Sequence, residues 1–161
     1  MVSESRIEAL EQRVHELEAK EAIRELRHNY AYYADNGDWE GFLSLFTEDA
    51  SIEYSDDNDR SSRHGKEELE EYTKEITKRV EFSAHMMHNP VITVEGDEAR
   101  ATWYFEVPEL LADESALRMQ GRYEEEYRLV NGEWRISCSR PRFNYTVDYD
   151  EGRGPQLFGK T

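Results

Sequence analysis

The stretch Phe82-Ser83-Ala84-His85-Met86-Met87-His88-Asn89-Pro90-Val91-Ile92-Thr93-Val94 decides how the chain is read. It predicts a strand entering a sheet, and it presents His85 among mostly apolar neighbours. Far upstream, Tyr30-Ala31-Tyr32-Tyr33-Ala34-Asp35 sets a carboxylate at the end of a long helical pattern. A helix-borne Asp35 and a strand-borne His85 meet only if the fold brings helix and sheet together. When they do, they make a proton-transfer pair.

Downstream of this stretch the hydrophobic period is two. Val91 to Val94, the turn Glu95-Gly96-Asp97-Glu98, and Ala99 to Val107 read as a hairpin. In its second arm Ala99, Ala101, Trp103, Phe105 and Val107 share one face, and Pro108 is expected to stop the strand. Met119 to Val130 and Glu133 to about Thr146 form a second hairpin around Asn131-Gly132, the strongest short turn signal in the chain.

Upstream the period is helical. From about residue 4 to 35 one long helix is expected, opened by a capping box of Ser5 and Glu8. Ile7, Leu10, Val14 and Leu17 form a narrow seam of coiled-coil type. After Glu21 a new stripe runs through Ile23, Leu26, Tyr30 and Tyr33. It is one amphipathic helix whose second half packs on its own sheet, or its first half, residues 1–20, is in addition given to a contact with another subunit. Asn36-Gly37-Asp38 ends the helix and caps a short buried one containing Trp39, Phe42, Leu43, Leu45 and Phe46. Thr47-Glu48-Asp49 is read as a turn into a strand at about 50–55, followed by a polar loop from Ser55 to Ser62. A third helix is expected over about 66–79, with Leu69, Tyr72, Ile76 and Val80 on its buried face.

Helices segregated from strands predict an α+β domain, a curved and mainly antiparallel sheet carrying about three N-terminal helices. Closed into a cone, such a sheet has a pocket at its mouth. With 161 residues the chain fits one domain, expected over 1–147, with a loose tail over 148–161 where Leu157 and Phe158 are the apolar residues able to dock. A net charge of −16 argues against nucleic acid and anionic membranes as partners, since phosphates are repelled. The single Cys138 excludes an internal disulfide framework and suits the reducing cytoplasm. The charged N-terminus is no signal peptide, and no apolar run is long enough for a membrane span.

The pieces Leu17 to Leu26, Tyr30 to Asp35, Asp38-Trp39, Leu45 to Ala50, His85 to Val94 and Asn131 to Ile136 resemble the SnoaL-like branch of the nuclear-transport-factor-2-like superfamily. They span roughly residues 7 to 145. Within that branch the chain looks most like lyases of the bile-acid 7α-dehydratase and scytalone dehydratase type. The resemblance implies a cone-shaped α+β barrel, no cofactor, and a homo-oligomer, a trimer rather than a dimer. It also implies a site: a Tyr and an Asp five apart, matched by Tyr30 and Asp35; a Tyr ending the first strand, matched by Tyr54; a His followed by Met-x-His, matched by His85; and an Arg on the final strand, matched by Arg142 with Arg140 competing. The chain departs from the bile-acid enzyme between Val107 and Met119, which puts a steroid substrate in doubt.

The residues themselves support that chemistry. An imidazole suits proton abstraction next to a carbonyl, and a carboxylate on its other nitrogen sets the tautomer and stabilises the imidazolium. Phenols of Tyr30 and Tyr54 can donate to a carbonyl or leaving hydroxyl, although core packing explains either tyrosine equally well. Asn89, Met87, Trp103, Phe105 and Arg140 are the expected substrate-binding residues. The expectation is a dehydratase acting on a small hydrophobic, polycyclic or aromatic substrate. An isomerase, an aldehyde-releasing lyase using the same pair, and a non-catalytic binding domain are the alternatives. No metal site is expected: His85 and His88 point oppositely on one strand, and the acidic loop at Asp56 to Asp59 lacks the glycine of a calcium loop.

Overall fold

Burial divides the first helix into two halves. The computed structural model describes residues 4–54 and 62–149, and its first element, α1 (Glu4–Asn36), is about 50 Å long at 1.5 Å per residue. Ile7, Leu10, Val14 and Leu17 are 47–64% exposed, whereas Ile23, Leu26 and Tyr30 are buried. Ser5 lies inside the helix and so does not cap it. At the other end Gly37, at φ 68°, allows the Schellman closure, in which Asp38 N–H donates to Tyr33 C=O and Gly37 N–H to Ala34 C=O. Asp38 then accepts from Gly41 N–H to cap α2 (Trp39–Ser44), which buries Phe42.

The remaining elements are β1 (Phe46–Ile52), β2 (Arg63–His64), α3 (Gly65–Arg79), β3 (Val80–Ser83), β4 (Met86–Glu95), β5 (Glu98–Leu111), β6 (Ala116–Val130) and β7 (Glu133–Asp148). The sheet order is β2-β1-β7-β6-β5-β3, with β4 also paired to β5. Among the described residues only the β1–β7 pairing is parallel. The three helices pack on this strongly curled mixed sheet, giving the cone-shaped α+β barrel. Its core joins Ile23, Leu26 and Phe42 from the helices to Trp103, Phe105, Val107, Tyr127 and Ile136 from the strands. Each such side chain stabilises the fold by about 1.5–3 kcal/mol when fully buried.

Four sequence expectations are corrected here. The strand read as starting near 50 begins at Phe46, because Leu45 C=O and the segment to Ile52 pair with β7 across a register shift that leaves Glu48 and Asp49 exposed. Pro108 does not end its strand: β5 runs on to Leu111, and the missing proline N–H falls where the neighbouring strand is interrupted, with Pro108 C=O accepting from Ala84 N–H. The second hairpin is longer than expected, starting at Ala116 and ending at Asp148 around Asn131-Gly132, both at positive φ. Finally, the stretch from Phe82 to Val94 is two strands, with Ala84 and His85 in the break between them. Of the polar loop expected over 55–62, residues 55–61 lie outside the described residues, as do residues 150–161 of the expected tail, whose first residue, Asp148, instead ends β7.

The β6 and β7 strands slip register twice, between Gln120 and Gly121 and between Glu126 and Tyr127. A Cβ at Gly121 would stand 2.1 Å from the Arg142 carbonyl oxygen and 2.9 Å from the Phe105 ring. Gly121→Ala must push backbone apart, and overpacking of this kind costs about 1–3 kcal/mol. We expect a lower urea midpoint with an unchanged slope; an unshifted midpoint would show that the strands yield freely there.

Candidate active site

Asp35 sits in the last turn of α1, held by the closure at Gly37, at the negative end of the helix. Its carboxylate reaches the break between β3 and β4 and accepts from three groups. Ser83 Oγ–H donates to Oδ1 at 2.9 Å, the His85 main-chain N–H donates to Oδ2 at 2.8 Å, and His85 Nδ1 lies 2.6 Å from Oδ1. With Nδ1 carrying the proton toward the carboxylate, Nε2 is left as the basic nitrogen. It has no hydrogen-bond partner among the described residues. His85 is mostly buried, its side chain 14% exposed, and its ring stands edge-on to Tyr30 at 6.1 Å.

His85 lines a cavity between α1, α3 and the sheet, together with Tyr30, Tyr54, Tyr72, Phe105 and Tyr123. The free space is about 60 Å³, enough for several waters at roughly 10–15 Å³ each. Tyr54 follows the end of β1; its hydroxyl lies 2.9 Å from that of Tyr72, and its ring stacks on Phe143. Burial raises the pKa values of Tyr30, Tyr72 and Tyr123. These phenols therefore stay protonated at neutral pH and present O–H donors.

Behind Tyr30 and Tyr123 lies Arg27, fully buried, its guanidinium 3.7 Å and 4.0 Å from the two ring centroids. Its ionic partner is Glu125 at 3.3 Å. Burial works against the charge, but Glu125 and the surrounding tyrosines outweigh it and hold the guanidinium above its ordinary range. Glu125 accepts from Ser139 Oγ at 2.8 Å and from the Tyr127 hydroxyl. Removing one partner of a buried pair of this kind typically costs about 3–5 kcal/mol.

Of the sequence-selected residues, the structure thus brings Asp35, His85, Tyr30, Tyr54 and Phe105 together. The others lie elsewhere. Ser139, Pro141 and Phe143 of β7 line the cavity, so alternation puts Arg140 and Arg142 on the opposite face. There Arg140 pairs with Glu53 and Glu126 at 2.8 and 2.9 Å, and Arg142 with Glu124 at 3.5 Å. Trp103 is buried below the cavity and donates to the Tyr127 hydroxyl at 3.1 Å. Met87 packs on the core without lining the cavity. Asn89, expected to share a face with His85, is exposed at φ 47° beside a register shift in β4. Parity counted from His85 fails because both the strand break and this irregularity intervene.

Sequence reasoning missed Tyr72, Tyr123, Glu109 and Arg79, which also line the cavity. Glu109 had a legible signal. It continues the inward alternation of Phe105 and Val107, hidden only by reading Pro108 as a terminus.

The curled α+β barrel is that of the nuclear-transport-factor-2-like superfamily. The chain belongs to the SnoaL-like domain family, whose model matches residues 15–140. Among solved structures it is similar to a protein assigned as an aromatic ring hydroxylase from Novosphingobium aromaticivorans, at 26% identity and TM-score 0.78 over 83% of this chain and 94% of the other. It shares its fold with a protein assigned as a scytalone dehydratase from the same organism, at 21% identity and TM-score 0.76 over 86% and 92% of the two chains. It also shares the fold of a type 3 hexachlorocyclohexane dehydrochlorinase from Novosphingobium barchaimii, at 17% identity and TM-score 0.77 over 88% and 97%.

The hydrogen bonds at Asp35 predict the His85 tautomer. In ¹⁵N NMR spectra of the neutral ring, Nδ1 should be protonated and Nε2 bare. In Asp35→Asn the preference should weaken or invert, because an amide has lost the charge that favours a donor there. An Nε2–H tautomer in the unaltered protein would contradict the arrangement.

Proposed function

We propose that this protein is a cofactor-independent lyase that eliminates water from a small hydrophobic, aromatic or polycyclic substrate. The observation that carries the reading is the 2.6 Å contact between His85 Nδ1 and Asp35 beside a cavity lined by phenols. In this scheme Nε2 of His85 removes a proton from carbon next to a carbonyl, and Asp35 stabilises the imidazolium that forms. Tyr30 and Tyr54 donate to the oxygen on which negative charge develops, from a largely buried site where such donation is stronger than in bulk water. The electrons of the broken C–H bond form the alkene, and the C–O bond at the β-carbon breaks to release hydroxide, which the imidazolium proton converts to water. Likeness in fold to the dehydratase-type and dehydrochlorinase structures supports elimination as the reaction type.

The same base would serve isomerisation or aldehyde release, so the product decides. Ring-fused β-hydroxyketones such as 3-hydroxy-1-tetralone are suitable first substrates. Loss of one water by mass spectrometry is the expected result. An unchanged mass with a moved double bond, or a released aldehyde, would replace the dehydratase reading with one of the other two. His85→Ala should lower the elimination rate by about 10²–10⁴-fold, and an undiminished rate would remove His85 from the reaction.

We also propose a homo-oligomer, a trimer in keeping with the family resemblance, in the cytoplasm. The exposed seam Ile7, Leu10, Val14 and Leu17 on the first half of α1 supports subunit contact, because four large apolar side chains in one row gain by being covered. No helix among the described residues is long and apolar enough to cross a membrane. Light scattering coupled to size exclusion should give about three times the 19.0 kDa chain mass. The double variant Leu10→Glu, Leu17→Glu should shift that mass toward the monomer, and an unmoved oligomer would place the contact elsewhere.

A further inference from the structure

Glu109 stands where the inward stripe of β5 calls for an apolar residue. Trp103, Phe105 and Val107 precede it on the same face, and the residue is 6% exposed. Both Glu109 and Arg79 line the cavity. Arg79 Nη2 is 3.9 Å from Glu109 Oε2, too far for a hydrogen bond, and Oε2 has no hydrogen-bond partner among the described residues. Across the β3–β5 pairing Glu109 is in register with Ser83, whose hydroxyl donates to Asp35. The unpartnered carboxylate therefore lies at the end of the cavity where the imidazole is.

A buried carboxylate oxygen with no donor is costly to the free protein, and a ligand that supplies the donor recovers that cost. Arg79 already balances the charge, so the unmet need is a neutral donor and not a second cation. An ionised carboxylate beside a departing hydroxyl would oppose its developing charge, so the group recognised is one the substrate keeps. We propose that Glu109 is a specificity-determining residue that accepts a hydrogen bond from a retained hydroxyl, a phenol or ring alcohol, of an otherwise apolar ring substrate. It thereby selects which edge of the ring faces His85. This assignment rests on the cavity being the substrate site proposed above.

The test is binding, which does not depend on turnover. 2-Naphthol and 2-methoxynaphthalene differ by one methyl group, which removes the donor, and can be titrated calorimetrically into the full chain. The unaltered protein should bind 2-naphthol at least about tenfold more tightly, the scale of one hydrogen bond to a charged group. In Glu109→Leu the ratio should fall to near one while 2-methoxynaphthalene binds as well or better. The same variant should melt about 2–4 °C higher, since it removes a buried oxygen that has no donor while the half-exposed Arg79 stays solvated. Glu109→Gln keeps shape and one acceptor, and should lower the ratio several-fold, which keeps the test decisive should the leucine variant fail to fold. Equal affinities in the unaltered protein, or a ratio undiminished in the variants, would overturn the proposal. Tighter binding of 2-naphthylmethylammonium than of 2-naphthol would overturn the choice of a neutral hydroxyl. The two readings fail separately. A donor preference without water loss from any hydroxyketone leaves Glu109 assigned and removes the lyase. Water loss without a donor preference does the reverse.

Discussion

One carboxylate joins the two halves of this fold. Asp35 ends the first helix, and its two oxygens are shared among the Ser83 hydroxyl, the His85 amide and the His85 ring. A charged acceptor with three donors is strong enough to hold a strand break open against the tendency of β3 and β4 to run on as one strand. The break in turn turns the His85 side chain to the cavity and gives Pro108, which lacks a donor, a tolerable place in the middle of β5. Helix end, strand break and proline are thus one local solution, and the candidate base is a product of it.

Beneath the cavity a second polar assembly acts on the phenols. Arg27 is a full positive charge held without water between the faces of Tyr30 and Tyr123, and Glu125 compensates it. Burial raises both phenol pKa values while the guanidinium pulls them down. The balance leaves neutral donors whose hydroxyl protons are polarised by a nearby cation. Such an arrangement is expensive to build into a core, and it sits behind the two tyrosines that face the cavity rather than in an arbitrary part of the sheet.

Much of the fold was legible because its signals are local. Asn131-Gly132 set a hairpin, the Asn36-Gly37-Asp38 triplet ended one helix and began another, and alternation from Ala99 to Val107 gave the inward face of β5. The inferences that failed were those that carried alternation across an irregularity. Asn89 was assigned a face by counting from His85, but the break at Ala84-His85 and the shifted register after His88 each reset the count. Proline 108 was read as a terminus because its missing N–H matters only when a partner strand needs it, and the partner is interrupted there. The arginines of β7 were placed by resemblance alone, and in a strand a slip of one residue exchanges the two faces.

By itself the sequence determined the class of most elements, the order of helices and hairpins, the two hairpin turns, and a resemblance sufficient to name Tyr30, Asp35, Tyr54 and His85 as one group. These follow from periodicity and short motifs, which need no knowledge of distant contacts. Tertiary structure alone decided the distance between Asp35 and His85, 50 residues apart in the chain, and which residues meet the same cavity. It brought Tyr72 and Glu109 to that cavity and turned Arg140 and Arg142 away from it. The physical reason is that a side chain's role here depends on sheet curl and strand register. Both are set by pairings between segments far apart in sequence and by single irregularities such as Gly121, where a strand approaches the Arg142 carbonyl too closely for any Cβ.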